Sequence, residues 1–167
     1  FPEGSLARRE LDYESVRRTN PGVVYCSVSG FGSGAGAGMG GYDFLVQALG
    51  GLMSITGDSS GEPTKTGVAL VDVLTAKDAT IGVLAALAAR DRTGEGQRVE
   101  VDLLSSLLGS LANQASAYFT TGVPPRRRGN QHPSIAPYET LRCKDEVIAV
   151  ACGNDRQFER LATVLGA

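Results

Sequence analysis

From Gly30 to Gly40 every second residue is glycine, and Gly41 follows directly. Glycine loses more backbone freedom on ordering than any other residue, so this run propagates neither helix nor strand and must be a loop. It separates Val23-Val-Tyr-Cys-Ser-Val28, which reads as a buried strand, from Tyr42 to Leu49, where helical periodicity restarts and stops at Gly50-Gly51. A strand, loop and helix are thereby imposed in that order.

The remaining punctuation extends the pattern. Asp12 to Thr19 is a short polar helix, stopped by Asn20-Pro21-Gly22, and Asp58 to Thr66 is a polar loop. Between about Val71 and Ala89 apolar residues occur almost all round, the mark of a well-buried helix, which Asp91 to Gln97 ends. Arg98 to Asp102 alternates as a strand, and Leu103 to Phe119 forms a second long helix. Gly122 to Pro137 is a loop with four prolines, Val147 to Cys152 a strand, and a helix starts at Asn154. There the Asn154 side chain caps while Gln157 reaches back, as in a capping box. Alternating strands and helices predict an α/β layer followed by a smaller α+β piece beginning near Gly122. Two or three strands before that point leave sheet edges open, so the chain reads as part of something larger.

Bulk properties narrow the function. Among 167 residues, 42% are hydrophobic and 20% charged, the balance of an ordinary globular domain. A net charge of -2 with scattered basic residues leaves no face for a nucleic-acid backbone. Cys26, Cys143 and Cys152 are odd in number and lack CxxC spacing, which fits reduced thiols in the cytoplasm, and no metal cluster emerges. Neither a signal segment nor an apolar run long enough to span a membrane is present.

Four constellations carry candidate chemistry. Gly36-x-Gly38-x-x-Gly41 matches the dinucleotide fingerprint with Asp58 beyond it, but so dense a glycine run must fit the pattern in some window. His132, the one imidazole, has Ser134 close by, yet no GxSxG elbow occurs, so it reads as a loop anchor or a substrate contact. Arg126 to Arg128 is a solvated turn or a site for an anionic substrate. Asp72 is a lone carboxylate in Gly67-Val-Ala-Leu-Val-Asp72-Val-Leu-Thr75, where desolvation by apolar neighbours costs several kcal/mol. It is either a first-turn or capping acid, which the helix dipole favours, or a nucleophile toward an activated carbonyl. The residues alone leave both open.

Further stretches resemble the class III coenzyme A transferases, which include formyl-CoA transferase, carnitine CoA-transferase and 2-methylacyl-CoA racemase. They are Asn20 to Gly32, Gly41-Tyr-Asp43, Gln47 to Gly57, Pro63-Thr64 leading to Asp72, Arg92 to Gln97, Gly129-Asn-x-His-Pro133, Pro137-Tyr138 and Gly153 to Phe158. Their order and spacing are specific as a set. The resemblance implies a central fragment of such an enzyme: residues 1–121 a partial Rossmann-like, CoA-binding large domain with long linking helices, residues 122–167 the start of a smaller α+β domain, and an interlocked homodimer. Phe1-Pro-Glu-Gly4 stands where the family carries an Asn-Phe-Arg-Pro-Gly-like segment contacting CoA.

The resemblance also implies roles. Asp72 is the nucleophile that takes an acyl group from a CoA thioester and passes through an aspartyl-CoA intermediate. Gly40, Gly41, Tyr42 and Asp43 contact the CoA thioester region, and Gly129 and Asn130, with His132 in the same motif, form a loop over the reacting carbonyl. Coenzyme A thioester is then a substrate, with no permanently bound cofactor, and a small carboxylic acid is the other partner. Racemases of the group carry His where Tyr42 stands; a phenol, with an ordinary pKa of about 10, is a poor base at neutral pH, so transfer is favoured. Two alternatives remain: a 2-methylacyl-CoA racemase, and a catalytically incomplete nucleotide-binding or assembly fragment in which Asp72 only caps.

Overall fold

A computed structural model describes residues 4–166. Phe1 to Glu3, and with them most of the expected CoA-contacting opening, lie outside the described residues. The chain divides into two compact units: residues up to Leu52 with Lys65–Val123, and Met53–Thr64 with the residues from Pro124 onward.

In the first unit Asp12 caps α1 (Tyr13–Thr19), its carboxylate accepting from the Ser15 backbone N–H and from Ser15 Oγ at 2.8 Å. After Pro21-Gly22 comes β1 (Tyr25–Ser29), then the glycine loop, α2 (Asp43–Leu49) and the one-turn α3 (Leu52–Ile55). The long α4 (Leu70–Thr93) leads back to β2 (Arg98–Asp102), which lies parallel to β1 with Tyr25 opposite Arg98 and Ser29 opposite Asp102. A parallel pair requires such a crossover, and α4 supplies it. Gly94, at φ 76, closes α4 in the left-handed conformation that a Cβ would oppose.

Val46 of α2, Val71 of α4 and Leu103 and Leu107 of α5 (Leu103–Ser110) form the buried cluster, with Phe31, Leu52, Leu104 and Leu111 packed against it. Full burial of each such side chain is worth about 1.5–3 kcal/mol, so this small cluster fixes where α2 and α4 meet. That junction holds the candidate site.

Three sequence expectations change here. Helix α4 is not buried all round: Val71, Thr75 and Ala86 share its inward face, while Val73, Ile81 and Leu84 on the opposite face are exposed. Likewise β1 is not a buried strand, for Val28 is exposed in what is a two-stranded sheet among the described residues. The second long helix is two, α5 and α6 (Ala112–Thr121). At the break Ala112 adopts φ 44, Gly109 weakens the preceding turn, Ser110 Oγ donates back to the Ser106 carbonyl at 2.8 Å, and Leu111 turns into the core.

The second unit contains a hairpin that sequence reading half missed. Strand β3 (Tyr138–Arg142) pairs antiparallel with β4 (Val147–Ala151), and the Cys143 N–H bonds the Glu146 carbonyl at 2.7 Å across the turn. Helix α7 (Asp155–Leu165) follows, with Asn154 Oδ1 accepting from Gln157 N. Gln157 Oε1 in return accepts from Gly153 N at 2.7 Å, one residue before the expected capping-box partner.

Candidate active site

Two glycines set the approach to α2. A Cβ on Gly41 would meet Gly30 Cα at 2.6 Å, and one on Gly30 would collide with Gly41 in return, so the end of β1 and the start of α2 touch through bare backbone. Tyr42 follows with its ring 72% exposed. Asp43 then points back toward α4: its Oδ1 accepts from the Val71 N–H at 2.8 Å and the Asp72 N–H at 3.3 Å.

Those N–H groups belong to the second and third residues of α4 and have no intrahelical partner. Ala69, at the N-cap position, has no side chain to satisfy them. Asp43 therefore caps α4 from another helix, 28 residues away along the chain, and puts an anion at its positive end, an arrangement typically worth about 0.3–1 kcal/mol.

Asp72 itself is exposed, and its carboxylate accepts no hydrogen bond among the described residues. The expected desolvation by apolar neighbours is thus absent, because the first turn of α4 presents this side chain outward. As a first-turn acid it keeps the favourable helix dipole while the capping bonds go to Asp43. The first unit therefore brings Gly40 to Asp43 and the turn carrying Asp72 together through one carboxylate. The same carboxylate argues against a dinucleotide at the glycine loop, since Asp43 sits in the first turn of α2, where a pyrophosphate would need positive potential.

Gly129, Asn130 and His132 lie in the second unit. The Gly129 N–H donates to the Gly57 carbonyl at 3.0 Å, and both glycines line an open cleft of about 470 Å³ with Ile55, Thr56, Asp58 and Asn130. Asn130 Nδ2 donates to Thr140 Oγ1 at 3.2 Å. Arg127, from the arginine run, donates to the carbonyls of Ser54, Asp58 and Gly61, so its guanidinium ties one strip of backbone to another. Asp58 Oδ1 accepts from Ser60 Oγ at 2.6 Å and Ser60 N at 2.8 Å; these bonds hold its carboxyl below the usual range, against a small opposing desolvation.

His132 Nδ1 accepts from the backbone N–H groups of Ser134 and Ile135 at 3.2 and 3.1 Å, which leaves the ring proton on Nε2. The ring stacks at a tilt against Tyr138, centroids 5.1 Å apart. With Nδ1 already engaged and Ser134 Oγ 3.5 Å from it, no Ser–His nucleophile is assembled there.

The sequence matches the family described as CoA-transferase family III over residues 1–167. The chain belongs to that family. It is 46% identical over 167 residues to the succinate–glutarate CoA-transferase of Agrobacterium fabrum, covering 99% of this chain and 42% of that protein. It is 36% identical to the human succinyl-CoA:glutarate CoA-transferase, covering 99% of this chain and 38% of that protein. Among solved structures, a CAIB/BAIF family protein from Brucella suis superposes with a TM-score of 0.86 at 47% identity, over 99% of this chain and 44% of that one. The chain spans less than half the length of these relatives.

Within this family III chain, sequence reasoning missed Gln47 and the capping work of Asp43. Gln47 is wholly buried and bonds both Asp43 and Thr66. A signal existed: Asp43 and Gln47 are four residues apart on one helix, the spacing at which such side chains meet.

Proposed function

We propose that the protein containing this chain moves CoA between an acyl-CoA and a small carboxylic acid, with Asp72 as the nucleophile. One observation carries the reading: Asp72 projects an unbonded, exposed carboxylate from the first turn of α4 while Asp43 performs the capping that would otherwise explain an acid there. A carboxylate left free at a helix N-terminus is ionised and accessible, as a nucleophile must be.

The steps balance without a net proton. An Asp72 oxygen attacks the donor thioester carbonyl and CoA thiolate leaves, giving a mixed anhydride. The thiolate attacks the aspartyl carbonyl, releasing the donor acid as carboxylate and leaving an aspartyl-CoA thioester. An acceptor carboxylate attacks that thioester, forming a second anhydride and freeing thiolate, which attacks the acceptor's acyl carbon and regenerates Asp72. Tyr42 and the backbone of Gly40, Gly41 and Asp43 flank the thioester, and Gly129, Asn130 and His132 belong to the loop that keeps water from the anhydride. Exposed Tyr42 supplies no imidazole for racemisation.

The same reading takes residues 1–121 as part of a Rossmann-like large domain, residues 122–167 as the start of a smaller one, and the whole protein as an interlocked cytoplasmic homodimer with no nucleic-acid or membrane partner. Succinate and glutarate are the first acids to test, because the relatives from Agrobacterium fabrum and human carry those names. Incubating the full-length protein with succinyl-CoA and digesting it should yield a hydroxylamine-sensitive adduct on the peptide containing Asp72. Turnover that proceeds with Asp72 unmodified, or that survives Asp72→Asn, would falsify the proposal.

A further inference from the structure

Gln47 is the largest wholly buried polar side chain among the described residues, at 0% exposed, and it is held at both ends. Its Nε2 donates to Asp43 Oδ2 at 2.6 Å, while its Oε1 accepts from Thr66 N at 2.9 Å and Thr66 Oγ1 at 3.3 Å. The other Asp43 oxygen accepts from Val71 N and Asp72 N. A continuous path therefore runs from Thr66 through Gln47 and Asp43 to the backbone of Asp72. It clamps the segment entering α4 on both sides of its turn.

Packing alone does not call for an amide at this point. Val46 beside it is buried without polar groups, and a buried amide is costly unless its bonds are made. What an amide offers is asymmetry, a donor at one end for a carboxylate and an acceptor at the other for a backbone N–H. The Asp72 carboxylate has no bond of its own among the described residues, so its placement depends on the backbone that carries it. A displacement of about 1 Å at a reacting group can cost on the order of a hundredfold in rate.

We propose that Gln47 is a positioning residue: by orienting Asp43 and anchoring Thr66 it fixes the backbone of Asp72 so that the carboxylate meets the thioester carbonyl in register. This rests on the reading of Asp72 as the nucleophile. Two variants of the full-length protein separate positioning from mere stability. Gln47→Met keeps the volume and removes every bond. Gln47→Glu keeps the acceptor toward Thr66 but sets a second carboxylate against Asp43, so the lost donor returns only when the pair shares a proton. The other ionisable side chains on the segments meeting Gln47 are Lys65, whose Nζ bonds the Thr66 carbonyl at 3.2 Å, and Asp72.

With succinyl-CoA and glutarate, Gln47→Met should lose kcat by roughly tenfold or more at every pH, with KM for the thioester changed by less than about twofold because the contact acts on the reacting group rather than on binding. Gln47→Glu should show a similar loss at pH 8 and regain activity relative to wild type as the pH falls toward about 6, where a shared proton restores the donor. Wild-type kcat in both variants overturns the proposal. So does a loss in Gln47→Glu that is independent of pH and tracks its melting temperature, or failure of both variants to fold. If Gln47→Met alone fails to fold, the pH recovery of Gln47→Glu decides. Asp72→Asn is run beside them: if it is inactive while the Gln47 variants are normal, only the positioning role falls, and if it turns over, the nucleophile reading falls and this one with it.

Discussion

Asp72, Asp43 and Asp58 are three carboxylates whose tasks the structure separates. Asp72 occupies the first turn of α4 with its N–H already taken by Asp43, so its oxygens are free for chemistry. Asp58 is held in a local turn by both donors of Ser60, which favour its charged form. Its folded pKa lies below the unfolded value, so the stabilisation it lends the loop from Asp58 to Gly61 is complete above the unfolded pKa of about 3.9. It is lost as the pH falls through the lower folded value. Carboxyl NMR titration should place Asp58 below the ordinary carboxylate range and Ser60→Ala should bring it back; an unchanged midpoint would show that the Ser60 bonds are not its cause.

At the scale of elements, the break between α5 and α6 is where composition misled. Leu103 to Phe119 carries apolar residues at helical spacing, but that period does not register one residue rotated into the left-handed region. Ala112 holds φ 44, a conformation that costs an L-residue roughly 1–2 kcal/mol and glycine almost nothing. Ala112→Gly should therefore stabilise the chain by about 0.5–1 kcal/mol after the added entropy of the unfolded glycine is counted. Urea denaturation followed by circular dichroism measures it, and a clear loss of stability would mean that the break relaxes to regular helix in solution. Strand β3 escaped notice for a related reason: Tyr138-Glu-Thr-Leu-Arg142 is nearly all exposed, so no buried face marks it in the sequence. It is a strand because β4 pairs with it residue by residue.

For the whole molecule the decisive quantity is how little of the first unit is closed. Val46, Val71, Leu103 and Leu107 form its buried cluster, whereas Val73, Ile81 and Leu84 of α4 and Phe44 and Leu49 of α2 remain exposed in a chain less than half the length of its relatives. With so few buried contacts each one matters. Leu107→Ala, at a position 1% exposed, should cost about 2–5 kcal/mol through lost burial and the cavity left behind. Because that cluster joins α2, α4 and α5, hydrogen exchange at the Val71 and Asp72 amides should quicken with it. Protection there that survives the substitution would detach the site from the core.

By itself the sequence determined the order of strands and helices, the glycine loop, the family and the candidacy of Asp72. Each of these is written in local spacing or in a succession of short motifs. Tertiary structure alone decided that Asp43 rather than Asp72 caps α4, that Gln47 bridges it to Thr66, that one face of α4 is open, and that His132 spends Nδ1 on its own turn. The cap and the bridge join residues 28 and 19 positions apart. No local period encodes such partners, and they appear only when the cluster of Val46, Val71 and Leu107 brings three helices into contact.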